Sequence, residues 1–394
     1  MKAPLQRSER LPLVDALRAF ALFGILQVNI QSFVWGLGEP LGFLLTRDTA
    51  VDTAAYVLVS TLVSSKFMAL FAFLFGFGFA LQIKSLRRTG NAQRIYRRRL
   101  WFLLAVGVAH GCLLYFGDVL SVYALCGFML VAFAFTRPAS LARAARMWGT
   151  AFVVLHVLIF GGFGLLDLIT AQRDLSAPIP DEAWAKYAAY TTGSYSEQVW
   201  VRSPEYFNGL ILGAVQYAPM VMTLFLLGAL SARLGWLRYP ERHPRLWRNA
   251  SRIGALGFVL ACAGTASGYS VHSHAPGQID FFGILLSIAG LTTMALYVAL
   301  IVRYQHTPLM RRSILWLAPA GRMPLSNYLL QSALMGALLS GWGLGWGATL
   351  GRAELALLGI AIVGLQIVLS RQWIARFGVG PLETLWRRAT YSRQ

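Results

Sequence analysis

Residues 84–120 read KSLRRTGNAQRIYRRRLWFLLAVGVAHGCLLYFGDVL, a basic run that passes directly into a long apolar stretch. Lys84, Arg87, Arg88, Arg94, Arg97, Arg98 and Arg99 belong in water, whereas the residues that follow suit hydrocarbon. The same alternation runs through the chain. A bilayer core of roughly 30 Å takes about 20 apolar residues, and ten stretches approach or exceed that length: 13–34, 55–83, 100–116, 118–135, 147–170, 207–232, 253–271, 279–302, 314–339 and 353–370. Of the 35 Lys and Arg residues, 27 fall in every second gap between these stretches and five in the intervening gaps. Because short cytoplasmic loops retain Lys and Arg during insertion, this bias orients the chain. The predicted fold is an all-α, polytopic transmembrane helix bundle of about ten spans with both termini cytoplasmic.

Composition agrees, with 57% hydrophobic and 13% charged residues in 394. Topogenesis and attraction to anionic headgroups account for the net charge of +19; no motif points to nucleic acid. The first stretch has no small-residue cleavage site and is read as a retained helix. Cys112, Cys126 and Cys262 lie in apolar stretches without CxxC spacing, so neither a disulfide framework nor a zinc site is indicated. The chain reads as a single integral-membrane domain, 1–394, with a non-cytoplasmic polar loop at 171–206 and a cytoplasmic interfacial tail at 371–394.

Polar groups inside the stretches carry the functional information, since an ionisable group in hydrocarbon is costly unless it meets a partner or a cavity. Asp15 and Arg18 lie three positions apart on one helical face, the spacing of a local ion pair. Asn29 falls in the far half of the same helix, as packing glue or as a reactive amide. Lys66 either snorkels outward or points into a cavity. His110 falls near the middle of the third stretch, placed for acid–base chemistry on a hydroxyl or amine. Asp118, at the tight turn that follows, either orients the imidazole or caps the next helix. Gly321 to Ser332 interrupts an apolar stretch with Pro324 and a cluster of donors, Arg322, Asn327, Tyr328 and Ser332 among them; such backbone is tolerated at membrane depth where it lines a cavity. His156 is read as a packing residue, and the His272-x-His274 pair lacks a third metal ligand.

These segments carry a resemblance. Asp15-Ala16-Leu17-Arg18, Val28-Asn29-Ile30, Lys66-Phe67 with Leu74-Phe75-Gly76, His110 with Gly117-Asp118, Gly321-Arg322 with Asn327-Tyr328 and Gln331-Ser332, and Gly380-Pro381-Leu382-Glu383 together resemble the YeiB family of bacterial inner-membrane proteins of unknown function. More distantly, the Asp-x-x-Arg helix, its far polar residue Asn29 and the late Asn-Tyr helix are similar to the transmembrane acyltransferase superfamily, which includes the acyltransferase-3 proteins and heparan-alpha-glucosaminide N-acetyltransferase. That resemblance implies an acyl-CoA-like donor on the cytoplasmic side, an acceptor on the other (an envelope glycan, lipid or small metabolite), and no tightly bound cofactor. The acyltransferase-3 proteins have His where this chain has Asn29, and residues 30–50 hold no His. His110 would then be the base, with Asp118 and Asn29 beside it as catalytic groups. Arg18, Lys66, Arg322, Asn327, Tyr328 and Ser332 would bind donor or acceptor. The alternative reading is a transporter or a lipid- or small-molecule-binding membrane protein whose polar groups line a path without covalent chemistry.

Overall fold

The structure is a computed structural model that describes residues 11–36, 49–170, 181–271 and 278–391. It is an all-α polytopic helix bundle. In chain order the helices are α1 (Pro12–Trp35), α2 (Ala50–Leu62), α3 (Lys66–Leu86), α4 (Ala92–Leu113), α5 (Leu120–Leu130), α6 (Pro138–Thr170), α7 (Asp181–Thr191) and α8 (Tyr195–Leu234), followed by α9 (Pro244–Val271), α10 (Gln278–Tyr304), α11 (Pro308–Gly321), α12 (Pro324–Leu339), α13 (Arg352–Phe377) and α14 (Pro381–Tyr391). Six helical segments among the described residues are long and apolar enough to cross a membrane: α1, the α2–α3 pair, α6, α8, α10 and α13.

The stretch 55–83, predicted as continuous, is broken, and the interruption expected around Pro324 is present, each for a local reason. Between α2 and α3 the residue Ser65 takes a left-handed conformation, φ 68°, and α3 restarts at Lys66. The break leaves the Ser60 carbonyl free to accept from Lys66 Nζ at 3.1 Å. Between α11 and α12, Pro324 disfavours the helical region for the residue before it, and Met323 sits at φ −127°, ψ 55°. The stretch 171–206, predicted as a polar loop, is mostly helical where it is described: 171–180 lies outside the described residues, 181–191 is α7, 192–194 is a turn, and 195–206 opens α8. Ser194 and Glu197 close a reciprocal cap on that helix, which fixes its start well before the apolar part begins. The tail predicted from 371 begins as the last turns of α13 and ends in the separate helix α14.

The bundle is apolar outside and partly polar inside. Leu158, Ile211, Leu212, Leu256 and Leu357 are exposed, whereas Lys66, His110, Asp118, Arg202, Asn327, Gln331, Ser332 and Gln366 are buried. In hydrocarbon this costs nothing on the surface and obliges every inner polar group to find a partner inside the protein. Helices α3 and α8 cross in backbone contact. A Cβ on Gly76 would fall 2.0 Å from the Phe225 carbonyl oxygen, and one on Gly228 would fall 1.9 Å from that of Phe73, so the two backbones touch through reciprocal glycines. Phe75 stacks on Phe225 at 4.6 Å beside this contact, and Tyr123 of α5 meets Phe225 edge-on at 5.3 Å. Gly228→Leu is therefore expected to force α3 from α8 and to cost about 3 kcal/mol or more, read as a lowered Tm in detergent; Gly213→Leu, with its nearest neighbour 3.7 Å away, leaves Tm unchanged.

Candidate functional site

The site is built on the α4–α5 hairpin. His110 lies in the last turn of α4, whose backbone closes by Leu114 and Tyr115 N–H groups donating to the His110 carbonyl, both at 2.9 Å. The Leu113 carbonyl accepts from Arg202 Nη1 at 2.6 Å, and Gln198 Oε1 accepts from Arg202 Nη2 at 2.9 Å. A buried guanidinium thus meets the negative end of α4. Asp118, in the turn between the helices, performs both roles that its position allows. One oxygen, Oδ2, accepts the Ser121 N–H at 2.8 Å and caps the start of α5; the other, Oδ1, accepts from His110 Nδ1 at 2.9 Å. The side chains of His110 and Asp118 have no solvent exposure. Gly107 makes the approach possible, because a Cβ there would lie 2.7 Å from Ser121 N and 2.8 Å from Asp118 Oδ2.

A carboxylate accepts hydrogen bonds and does not donate them, so Nδ1 carries a proton and Nε2 is turned to the third partner, Ser332 Oγ, at 2.8 Å. Ser332 comes from α12, far away in sequence. The result is a Ser–His–Asp chain of hydrogen bonds, the arrangement that makes an imidazole a base toward the hydroxyl and keeps its tautomer fixed. Above it lie further hydroxyl pairs, Tyr206 with Ser121 at 2.8 Å and Tyr115 with Ser32 at 2.6 Å. Farther in the same direction Glu205 accepts from Lys186 at 2.9 Å and from Tyr190 through a short hydrogen bond.

Below it is a cavity of about 280 Å³. Its far wall is apolar, with Phe71, Phe75, Leu103, Leu120 and Tyr123, and its mouth carries Arg18, Arg99, Arg322 and Arg387 together with Asp15 and Glu383. Eleven residues of α4 separate Arg99 from His110, roughly 16 Å along the helix axis. Tyr328 belongs to both places. Its ring lines the cavity and lies 4.9 Å, centroid to centroid, from the His110 ring, one turn before Ser332 on the same face of α12. Tyr328 is thus a wall of the cavity and a neighbour of the imidazole at once.

The mouth is shaped by α14. Arg99 packs its guanidinium 3.6 Å from the Trp386 ring, the Trp386 indole N–H donates to the Arg99 carbonyl at 3.2 Å, and Arg99 also makes a short hydrogen bond to Gln82. Glu383 reaches from α14 to the start of α12, accepting from the N–H groups of Leu325 at 2.8 Å and Ser326 at 3.2 Å and from the Ser326 hydroxyl. It is the N-terminal cap that α12 lacks in its own sequence.

Of the residues expected at the site, the structure brings together His110, Asp118 and Ser332, sets Tyr328 against them, and places Arg18 and Arg322 at the cavity mouth. Arg18 Nη1 donates to Asp15 Oδ1 at 2.8 Å, and Arg322 Nη2 to the Gly378 carbonyl at 2.8 Å. Three residues stand elsewhere. Asn29 is half-buried on α1, and no hydrogen bond among the described residues joins its side chain to His110, Asp118 or Ser332. Lys66 is held at the α2–α3 break, buried, which decides between its two readings against snorkelling. Asn327 braces α12 against α11 and α13, its Nδ2 donating to the Ala320 carbonyl and to Ser370 Oγ, each at 3.0 Å. His156 packs on Phe152, as expected, and His272 and His274 lie outside the described residues. The sequence reading missed Arg202, Ser121 and Tyr206, and gave Glu383 no role; Arg99 belongs to the basic run expected to meet the donor's phosphates. The Asp118-x-x-Ser121 spacing was the available signal for the cap.

The family model for a protein of unknown function (DUF418) matches residues 231–393. The uncharacterized protein YxaH of Bacillus subtilis is 30% identical over 98% of this chain and 96% of its own length. The uncharacterized protein YeiB of Escherichia coli is 28% identical over 97% and 96%. The chain belongs to this YeiB family. Since Glu383 supplies the cap of the helix that carries Tyr328 and Ser332, Glu383→Ala is expected to leave buried N–H groups unpaired and to lower stability by about 1–3 kcal/mol, measured as Tm in detergent, with Glu383→Gln intermediate.

Proposed function

We propose that this protein is a bacterial inner-membrane acyltransferase that takes an acyl group from a cytoplasmic acyl-CoA-like thioester and delivers it to a hydroxyl or amine of an envelope or small-molecule acceptor. The observation that carries the reading is the placement of a buried, carboxylate-oriented histidine one aromatic ring away from an apolar cavity whose mouth is ringed by arginines. An acyl thioester of a phosphorylated carrier has the matching shape: an anionic head for Arg18, Arg99, Arg322 and Arg387, and an uncharged arm for the aromatic wall. The basic loops favour the mouth as the cytoplasmic side, and the hydroxyl and carboxylate cluster of Tyr115, Tyr206, Tyr190 and Glu205 as the side from which an acceptor enters.

In this mechanism His110 Nε2 receives the proton released when a hydroxyl attacks the acyl carbon, and Asp118 stabilises the imidazolium that results. Exclusion of water from the His110–Asp118 pair protects the thioester from hydrolysis. Tyr328 accepts the Val119 N–H at 3.5 Å through its phenol oxygen. Its own O–H is left to donate to an oxyanion.

The test is thioester turnover by protein in lipid nanodiscs, with acetyl-CoA and palmitoyl-CoA as donors and ethanolamine as a hydroxyl- and amine-bearing acceptor. His110→Ala is expected to lower kcat by about 10²- to 10⁴-fold. Arg18→Ala and Arg99→Ala are expected to raise KM by about tenfold or more, the loss of a charge-assisted contact. If neither donor binds to wild-type protein, the reading gives way to transport or lipid binding. Orientation is checked separately in a cysteine-free background: a membrane-impermeant maleimide should label Lys186→Cys in spheroplasts, and Arg143→Cys only after lysis.

A further inference from the structure

We infer that Ser332 is the nucleophile of this reaction and carries the acyl group as a covalent ester between donor and acceptor. The inference rests on the acyltransferase reading and goes beyond it, since His110 alone would suffice for direct transfer. Three observations support it. The first is geometric: Ser332 Oγ lies 2.8 Å from His110 Nε2, whose Nδ1 is held by Asp118 at 2.9 Å, and Ser332 is 1% exposed. No acceptor has to be present for His110 to be engaged with a hydroxyl; the protein supplies one.

The second concerns how Ser332 differs from several other helix hydroxyls, although Ser121 and Ser370 likewise bond to side chains, Tyr206 and Asn327. In a helix interior a Ser or Thr side chain ordinarily bonds back to the carbonyl four residues earlier. Thr191, Thr223, Ser251, Thr265 and Ser313 all do so, at 2.7 to 3.1 Å. Ser332 makes no such bond to the Tyr328 carbonyl, and its hydroxyl is committed to the imidazole instead. The third is access. Tyr328, one turn below on the same face, is the ring against which the cavity ends, so a carbonyl entering from the cavity meets Ser332 once that ring turns aside.

The chemistry balances in two steps. Ser332 Oγ bonds to the thioester carbonyl carbon, its proton passes to His110 Nε2, the carbon–sulfur bond breaks, and the thiolate leaves with that proton as a free thiol. The acceptor hydroxyl then gives its proton to Nε2 and attacks the Ser332 ester; the carbon–Oγ bond breaks, and the proton returns to Ser332. One thioester and one alcohol yield one ester and one thiol.

The experiment incubates wild type, Ser332→Ala and Ser332→Cys in nanodiscs with palmitoyl-CoA and with acetyl-CoA, in the absence of acceptor for the adduct, followed by denaturation, intact mass measurement and peptide mapping, and in parallel with ethanolamine as a hydroxyl- and amine-bearing acceptor for turnover, read as free thiol released. Expected are an acyl adduct on Ser332 in the wild type, a hydroxylamine-labile thioester at the same position in Ser332→Cys, no adduct in Ser332→Ala, and a loss of turnover in Ser332→Ala of about 10³-fold or more. Turnover by Ser332→Ala within threefold of wild type, or wild-type turnover with no adduct in either wild type or Ser332→Cys, overturns the covalent route and leaves direct transfer by His110. Absence of both turnover and adduct in the wild type overturns the acyltransferase reading itself. Should Ser332→Ala misfold, the presence or absence of the thioester in Ser332→Cys decides.

Discussion

The Asp118 carboxylate, shut away from water between α4 and α5, holds the centre of the molecule together. A charge in that position is tolerable only with strong donors on both oxygens, and it has them: the Ser121 backbone on one side and the His110 ring on the other. The cap ties the carboxylate to α5, the imidazole ties it to α4, and Ser332 extends the same chain into α12. The two arms of one hairpin and a third helix far away in sequence are registered by one set of hydrogen bonds. Because a surrounding bilayer offers no competing water, each bond is strong and each missing partner expensive. The reactive geometry and the packing of the bundle are therefore one constraint, and the residue that permits it is a glycine, Gly107, whose missing side chain leaves room for the carboxylate.

The two ends of the bundle are stabilised differently. At the basic end α14 is bound by directional contacts: Glu383 caps α12, Tyr391 accepts from Gln82 Nε2 at 3.1 Å, and Trp386 lies across Arg99. These bonds consume donors and acceptors that would otherwise face the cavity, so α14 forms part of the mouth and does not merely trail from α13. At the opposite end Arg202 plays the complementary part, neutralising the carbonyl end of α4 and linking it through Gln198 to Trp342, whose indole donates to Gln198 Oε1 at 3.2 Å. Helix α4, with His110 in its last turn, is thus held by Arg99 in its first half and by Arg202 at its carbonyl end.

Most of the fold was legible because hydrophobic length and charge asymmetry are local properties. The start of α1 at Pro12, the α4–α5 hairpin and the interruption before Pro324 all follow from short-range rules. The break at Ser65 was not legible, since a left-handed serine carries no sequence mark; two consecutive serines in an apolar run are more often helix-packing residues than a hinge. The site was legible only in pieces. His110 and Asp118 are eight residues apart and announce themselves as polar groups in hydrocarbon, but Ser332 lies 222 residues from His110, and only tertiary packing selects it from the other hydroxyls in the apolar stretches. Arg202 was counted with the outer loop charges because its burial depends on α8 beginning at Tyr195, earlier than the apolar pattern indicates. Asn327, conversely, looks reactive in sequence and is consumed by Ser370 and Ala320.

The position of Tyr328 brings the physical demands together. Under the proposed reaction a chain that activates a hydroxyl must keep water away from it, and one that accepts a bulky donor must open to it. One aromatic ring between cavity and imidazole meets both demands with a rotation of a single side chain. The ring is held in place by its packing on His110 and by a long hydrogen bond from Val119, and that bond is weak enough for an arriving uncharged arm to replace. Since Val119 directly follows Asp118, displacement of the ring acts on the turn that positions the carboxylate. The same turn therefore meets the cavity wall through Val119 and the imidazole through Asp118.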